Sequence, residues 1–175
     1  MNLFDMEKAL ESAFILVDSR EQPSQRADRR YKSFEIPYKR CTLDYGDYAI
    51  NCTLRCGKSL YDVSERVSAD VVIERKMNLD ELAGCFTHSR KRFQKEFERA
   101  KSRNAKIYLL IENASWENLI NGKYRSKFNA KAFKASLTAY MARYNAQVIM
   151  CKAETSGTLI KEILYRELKE MLANE

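Results

Sequence analysis

The sequence predicts an α/β protein in which helices flank a mixed central sheet. Short apolar runs and period-two alternation dominate as far as Arg75, and from Asn78 onward helical stripes alternate with strand-like runs. Strands that come first and then interleave with helices imply mixed pairing, not a bundle or a sandwich. With five Gly, two Pro, no linker-like stretch and no internal repeat, residues 1–175 read as a single domain.

Taken in order, Ala13–Asp18 (AFILVD) is an apolar run closed by an acid, which suits a buried strand. Ser19–Lys32 carries many basic residues and few apolar ones, and reads as a loop. Phe34, Ile36 and Tyr38 alternate with Ser33, Glu35 and Pro37, as in a strand with its proline near an edge. Asp47–Cys56 and Ser59–Val63, on either side of Gly57 and Lys58, read as a hairpin. Asp70–Arg75 is again strand-like. Asn78 is placed to cap a helix, with Glu81 as reciprocal partner and Leu79, Leu82, Ala83 and Phe86 as its stripe. Ser89–Ser102 predicts a second helix, with Phe93, Phe97 and Ala100 inward and Arg90, Lys91, Lys95, Arg99 and Lys101 outward. Lys106–Glu112 is a central strand, Asn129–Tyr144 a helix on Phe133, Leu137, Tyr140, Met141 and Tyr144, and Gln147–Cys151 a strand. Thr155 or Ser156 caps a final helix striped by Leu159, Ile160, Ile163, Leu164, Leu168 and Met171.

Composition excludes several classes of function. Hydrophobic residues make up 45% and charged residues 31%, a globular balance. No apolar run nears the ~18 residues of a membrane span, and Met1–Glu11 lacks the apolar core of a secretory signal. Five cysteines without pattern suit a reducing, intracellular compartment, cytoplasmic for a prokaryotic or phage protein. Cys52 and Cys56 offer half a zinc site, completed by Cys41 or Cys85, but two small thiols on one strand face fit the spacing better. A net charge of +7 points to a polyanionic partner.

The informative residues are acids at the ends of buried-type strands. Asp18 closes the first strand, Asp47 sits at a turn-to-strand junction, and Glu74 with Lys76 follows Val71–Ile73. Residues i and i+2 on a strand share a face, so Glu74 and Lys76 project together; Asp80, one turn into the next helix, is placed to lean over the same spot. Were Asp18, Asp47 and Glu74 to converge, two carboxylates ~5 Å apart would repel by about 3 kcal/mol. Mg²⁺ or Mn²⁺ on hard oxygen ligands relieves that repulsion, and a lysine on the same face orients or deprotonates an attacking water. Such a set suits phosphodiester hydrolysis. Surface acids at strand ends are the competing reading.

Asp18-Ser19-Arg20-Glu21, then Gly46-Asp47-Tyr48, then Glu74-Arg75-Lys76 followed by three residues and Asp80, resemble the motifs of the XPF-type structure-specific endonucleases. The resemblance spans roughly residues 13–112 and extends to Phe86–Arg90 with Gln94. It implies a restriction-endonuclease-like core and cleavage of branched, flapped or forked DNA. It also implies Asp47, Glu74 and the main-chain carbonyl of Arg75 as ligands of Mg²⁺, with Mn²⁺ as substitute and Asp18 as a further candidate. Lys76 is the implied catalytic lysine, and Asp18, Arg20, Glu21 and Asp80 complete the site. Arg75 is expected to point away from Lys76 and brace the sheet or a neighbouring acid.

Two features depart from the family. Ile50–Ala69 is a longer excursion than the usual hairpin, and no helix-hairpin-helix domain is recognisable in the sequence. Substrate choice is therefore expected to come from this domain, a homodimer built on the two C-terminal helical stripes, or an accessory DNA-binding protein. Arg26, Arg29 and Arg30, with Arg90, Lys91, Gln94 and Lys95, form the expected DNA track. His88 reads as a solvated side chain beside that track. The alternative function is a non-catalytic DNA-structure-binding subunit, which the presence of every acid of the motif disfavours.

Overall fold

The computed structural model describes residues 2–174. Its strands are β1 (Phe14–Asp18), β2 (Tyr38–Cys41), β3 (Tyr48–Asn51), β4 (Val71–Lys76), β5 (Lys106–Glu112) and β6 (Gln147–Cys151). They form one sheet in the order β2-β1-β3-β4-β5-β6. β1 and β2 are parallel, β3 is antiparallel to both its neighbours, and β4, β5 and β6 are parallel to one another. The carboxyl ends of β1, β2, β4, β5 and β6 therefore share one sheet edge with the amino end of β3. This mixed α/β sheet is the predicted fold class.

Helices α1 (Leu3–Glu11), α2 (Gln25–Lys32), α3 (Leu79–Phe86), α4 (Arg90–Ser102), α5 (Trp116–Ile120), α6 (Ala130–Tyr144) and α7 (Ala153–Ala173) cover the two faces. Strand alternation sorts the core. Leu16, Ala49, Val72, Leu109 and Ile111 meet α3, α4, α5 and α6 on one face. Ile15, Val17, Tyr48, Ile50, Ile73 and Leu110 meet α1, α2 and α7 on the other. The first face is dominated by rings: Phe86, Phe93, Phe97 and Tyr140 pack with centroids 4.9–5.7 Å apart, most of them edge to face. Such pairs add about 0.5–1.5 kcal/mol each beyond area burial.

The helices α3, α4 and α6 and the strands β4, β5 and β6 lie within a residue of their predicted bounds. Asn78 caps α3 through Glu81 N–H, while Glu81 reaches back one residue further than expected, to Met77 N–H. Three expectations need correction. Ser19–Lys32 is not all loop: Ser24 accepts from Ala27 N–H and opens α2, which buries Ala27, Arg30 and Tyr31. A helix whose buried face includes an arginine carries too weak an apolar stripe to be read. Phe34 and Ile36 precede the strand, because Glu35 has φ +57° and breaks the extended run. The expected hairpin shrinks to a bridge between Thr53 and Ser59, and buried Asn51 pins the excursion by bonding Tyr61 through both N–H and C=O. α1 and α5 had no counterpart in the expectation; Trp116 opens α5 and packs partly against the aromatic core.

The stripes expected to serve a dimer are used within the chain. Phe133, Leu137, Tyr140 and Tyr144 of α6 and Ile160, Leu164, Leu168 and Leu172 of α7 are buried in the two cores. α7 starts before Thr155 and Ser156, so neither caps it; Ser156 instead bonds the Ala153 carbonyl inside the first turn. Gly157 is the contact between α7 and α2, since a Cβ there would lie 2.4 Å from the Arg30 carbonyl oxygen. Glycine to alanine within a helix ordinarily stabilises by up to about 1 kcal/mol. Gly157→Ala should do the opposite and cost about 1–3 kcal/mol in urea denaturation, because α2 has to be pushed away. A stabilised variant would contradict this packing.

Candidate active site

The shared sheet edge gathers the strand-end acids. Asp18 closes β1, Asp47 immediately precedes β3, and Glu74 and Lys76 close β4. Parity along the strands sends all four side chains to the α4 side of the sheet. Asp47 is locked into the ladder, donating its N–H to the Ile73 carbonyl and accepting Asp18 N–H, each at 2.8 Å. Gly46 makes the preceding turn possible: its φ is +73°, and a Cβ would lie 2.7 Å from Val72 Cβ.

The chemistry centres on Asp47, Glu74 and Lys76. Asp47 Oδ2 accepts the Arg75 N–H at 2.7 Å. Lys76 Nζ donates to Glu74 Oε1, and its ammonium lies 5.4 Å from the Phe93 ring centroid. Glu74 is 4% and Lys76 8% exposed. Glu74 Oε2 is buried with no hydrogen-bond partner among the described residues. Burial pushes Asp47 up to about 6, against the pull of Lys76 and of the Arg75 N–H. Burial, with Asp47 next in weight, drives Glu74 well above the usual carboxylate range. For Lys76, burial opposes the charge, but Glu74 and Asp47 outweigh it and raise its pKa.

An orphaned, buried carboxylate oxygen beside a second carboxylate fits a hard divalent cation. Asp47 and Glu74, with the main-chain carbonyl of Arg75, the residue after Glu74, are the residues available to hold one. Among the described residues, no group of three His, Cys, Asp or Glu side chains is arranged to bind a metal. The cation would therefore depend on main-chain oxygen and water as well, and the weighed zinc site through Cys52 and Cys56 has no such cluster behind it. Cys56 is exposed while Cys41 and Cys52 are buried.

The remaining predicted residues divide. Asp18 lies at the same edge, but both its oxygens are engaged: Arg20 Nε and Nη2 donate at 2.7 and 2.9 Å, and Leu43 N–H at 2.9 Å. It orients Arg20, whose pKa is raised first by that hydrogen bond. Asp80 turns elsewhere, accepting the N–H groups of Arg125 and Ser126 at 2.8 and 2.7 Å. It ties α3 to the α5–α6 connection.

Glu21 and Arg75 lie on the opposite face of the sheet, in a charge network. Arg75 Nη1 pairs with Glu112 at 3.2 Å and its Nε with Glu21 at 3.6 Å, so it braces neighbouring acids away from Lys76. Glu21 also accepts from Arg30 at 2.8 Å, from Tyr31 at 3.0 Å and from the Tyr48 hydroxyl. Arg30, expected on the DNA track, is instead 6% exposed and bridges Glu21 to Glu112. Glu112 and Tyr48 are not among the predicted site residues. Glu112 carries the same signal as Asp18, an acid closing a buried strand.

Arg26 and Arg29 remain at the surface of α2 and line a cavity of about 310 Å³ with Arg30, Glu112, Asn113 and Glu154. Arg90, Lys91 and Lys95 are exposed along α4, as is His88 just before it; Gln94 is directed along the helix to Glu98. No helix among the described residues is long and apolar enough to cross a membrane.

A family model for the ERCC4 domain matches residues 17–163. The chain belongs to the ERCC4 domain family. The matched span takes in the whole sheet edge from Asp18 to Cys151. Among solved structures, this ERCC4 domain is similar to XPF from Aeropyrum pernix, at 16% identity and TM-score 0.59, over 88% of this chain and 61% of that one. A second structure, XPF from Aeropyrum pernix in complex with DNA, matches at 17% identity and TM-score 0.55, over 92% of this chain and 65% of that one. The chain thus spans somewhat under two thirds of these relatives, whose shared fold is restriction-endonuclease-like. No curated protein sequence gives a significant match.

Two of the three α2 arginines that line the cavity should behave oppositely. Arg30→Ala leaves Glu21 and Glu112 short of a buried partner and should cost about 3–5 kcal/mol in urea denaturation. Arg29→Ala removes an exposed side chain and should stay within about 0.5 kcal/mol of wild type. Equal, small effects would contradict the buried network.

Proposed function

We propose that this chain is a metal-dependent DNA endonuclease that hydrolyses phosphodiester bonds in branched, flapped or forked DNA. The observation that carries the proposal is the buried Asp47–Glu74–Lys76 group, with its unpartnered carboxylate oxygen, at the sheet edge of an ERCC4 domain. A neighbour of the same fold bound to DNA adds support for the substrate.

In this reading Asp47, Glu74 and the Arg75 carbonyl would hold Mg²⁺ or Mn²⁺, which when bound would acidify water and offset charge on phosphorus. Lys76 Nζ, held on the same face, donates toward the attacking water or a phosphate oxygen. Arg20, oriented by Asp18, is set to hold the phosphate. Arg26 and Arg29 on one side of the edge, and Arg90, Lys91 and Lys95 on the other, neutralise flanking phosphates. A single module offers limited DNA-contacting area, so holding a second duplex arm calls for a further DNA-binding surface, such as a second copy or an accessory DNA-binding protein.

The test is a labelled panel of flap, fork, junction and plain duplex DNAs with and without Mg²⁺. Asp47→Asn should reduce cleavage on the order of a thousandfold, given the several kcal/mol a Lewis acid supplies, while DNA binding in Ca²⁺ survives. Wild-type cleavage by this variant would remove the assignment. Tight binding without cleavage by the wild-type chain would point instead to a DNA-binding subunit.

Cation binding should also depend on pH. Asp47's folded pKa of about 6 lies above its unfolded value near 4. Its preference for the proton therefore stabilises the metal-free fold below about pH 4, and that contribution disappears as pH rises through 6. Mn²⁺ should accordingly raise the melting temperature at pH 7.5 and hardly alter it at pH 4.5, where protons compete. An equal shift at both pH values would place the bound cation elsewhere.

A further inference from the structure

We propose that Glu96 is a positioning residue for Asp47, acting through the Gly46 N–H. α4 carries the basic residues of the DNA track, yet part of it turns inward. Glu96 Oε1 accepts the Gly46 N–H at 3.0 Å. One turn later, Arg99 donates to the Asp44 carbonyl from Nε at 3.1 Å and from Nη2 at 2.8 Å. Arg99 therefore does not simply face solvent, as its place in the sequence pattern suggests. The helix grips both ends of the turn that leads into Asp47.

The Gly46 N–H has no main-chain acceptor among the described residues, because the positive φ lifts it out of the ladder. On the sheet side the Asp47 backbone is fixed by Ile73 and Asp18. On the helix side the Gly46–Asp47 segment is fixed by Glu96. Loss of that acceptor frees the segment to rotate, which carries the Asp47 carboxylate away from the Arg75 N–H and from Glu74. Phe93, one turn before Glu96, lies under Lys76, so a single helix face registers both partners of the site. Glu96 also acts on Glu74 and Arg20 through its charge, so charge and reach have to be separated by experiment.

The inference rests on the reading of the Asp47–Glu74 edge as a cation site. Two conservative variants separate the effects. Glu96→Gln keeps an acceptor at the same reach and removes the charge; Glu96→Asp keeps the charge and shortens the reach. Mn²⁺ affinity is read by electron paramagnetic resonance, and exchange of the Gly46 amide by NMR, both on the full chain. Positioning predicts that Glu96→Asp weakens Mn²⁺ binding about tenfold and exposes the Gly46 amide to exchange, while Glu96→Gln stays within about twofold with the amide protected. The reverse order, or no change in either variant, overturns the proposal. If the wild-type chain binds no Mn²⁺, the cation reading falls, and Gly46 exchange in the two variants decides the positioning role alone.

Discussion

Strand β4 is buried on both faces yet ends in three consecutive charged residues, and the surrounding structure is organised by the need to satisfy them. Alternation sends Glu74 and Lys76 to one face and Arg75 to the other. Each face then supplies partners for what it receives. On the α4 side, Lys76 and Glu74 pair with each other beside Asp47, and one Glu74 oxygen is left over. On the α2 side, Glu21 and Glu112 take the Arg75 guanidinium, and Arg30, Tyr31 and Tyr48 complete the network. The unbalanced side is the one proposed to hold the cation. The balanced side holds the backbone whose N–H bonds Asp47.

The topology makes this concentration possible. Because β3 runs against its neighbours, its amino end meets the carboxyl ends of β1 and β4, and residues far apart in sequence share an edge. At this edge Asp47 keeps partial exposure, while Asp18 and Glu74 are buried with the strands that flank them. The acids there are held by main-chain geometry more than by flexible side chains: Asp47 by two ladder bonds and the Arg75 N–H, Asp18 by Leu43 N–H and Arg20. Preorganisation of this kind is what a site gains from rigid elements.

Much of this was legible in the sequence, for identifiable reasons. Lys106–Glu112 and Asn129–Tyr144 follow a single periodicity with clear ends, and both match closely. Glu74 and Lys76 share a face because strand parity is strict. The misreadings share a different cause. α2 buries an arginine, so a paired charge looked like a solvated one and Arg30 was assigned to DNA. Thr155 and Ser156 looked like caps, although α7 begins before them and Gly157 is there to let α2 approach. Glu96 sits among basic residues on a helix whose outward face is charged, and nothing local marks it as turned toward Gly46. Periodicity reports which face is apolar; it does not report which charges are paired across elements.

The proposed activity depends on divalent-cation binding at the strand-end edge, on Asp47 and Glu74 with help from the Arg75 main chain. Anomalous diffraction from crystals grown with Mn²⁺ tests it most directly. The account predicts an anomalous peak within coordination distance of both carboxylates and the Arg75 carbonyl oxygen, with Lys76 displaced from Glu74 Oε1 or reoriented toward a bound water. A peak elsewhere on the surface, or none at this edge with the Lys76–Glu74 pair intact, would contradict it.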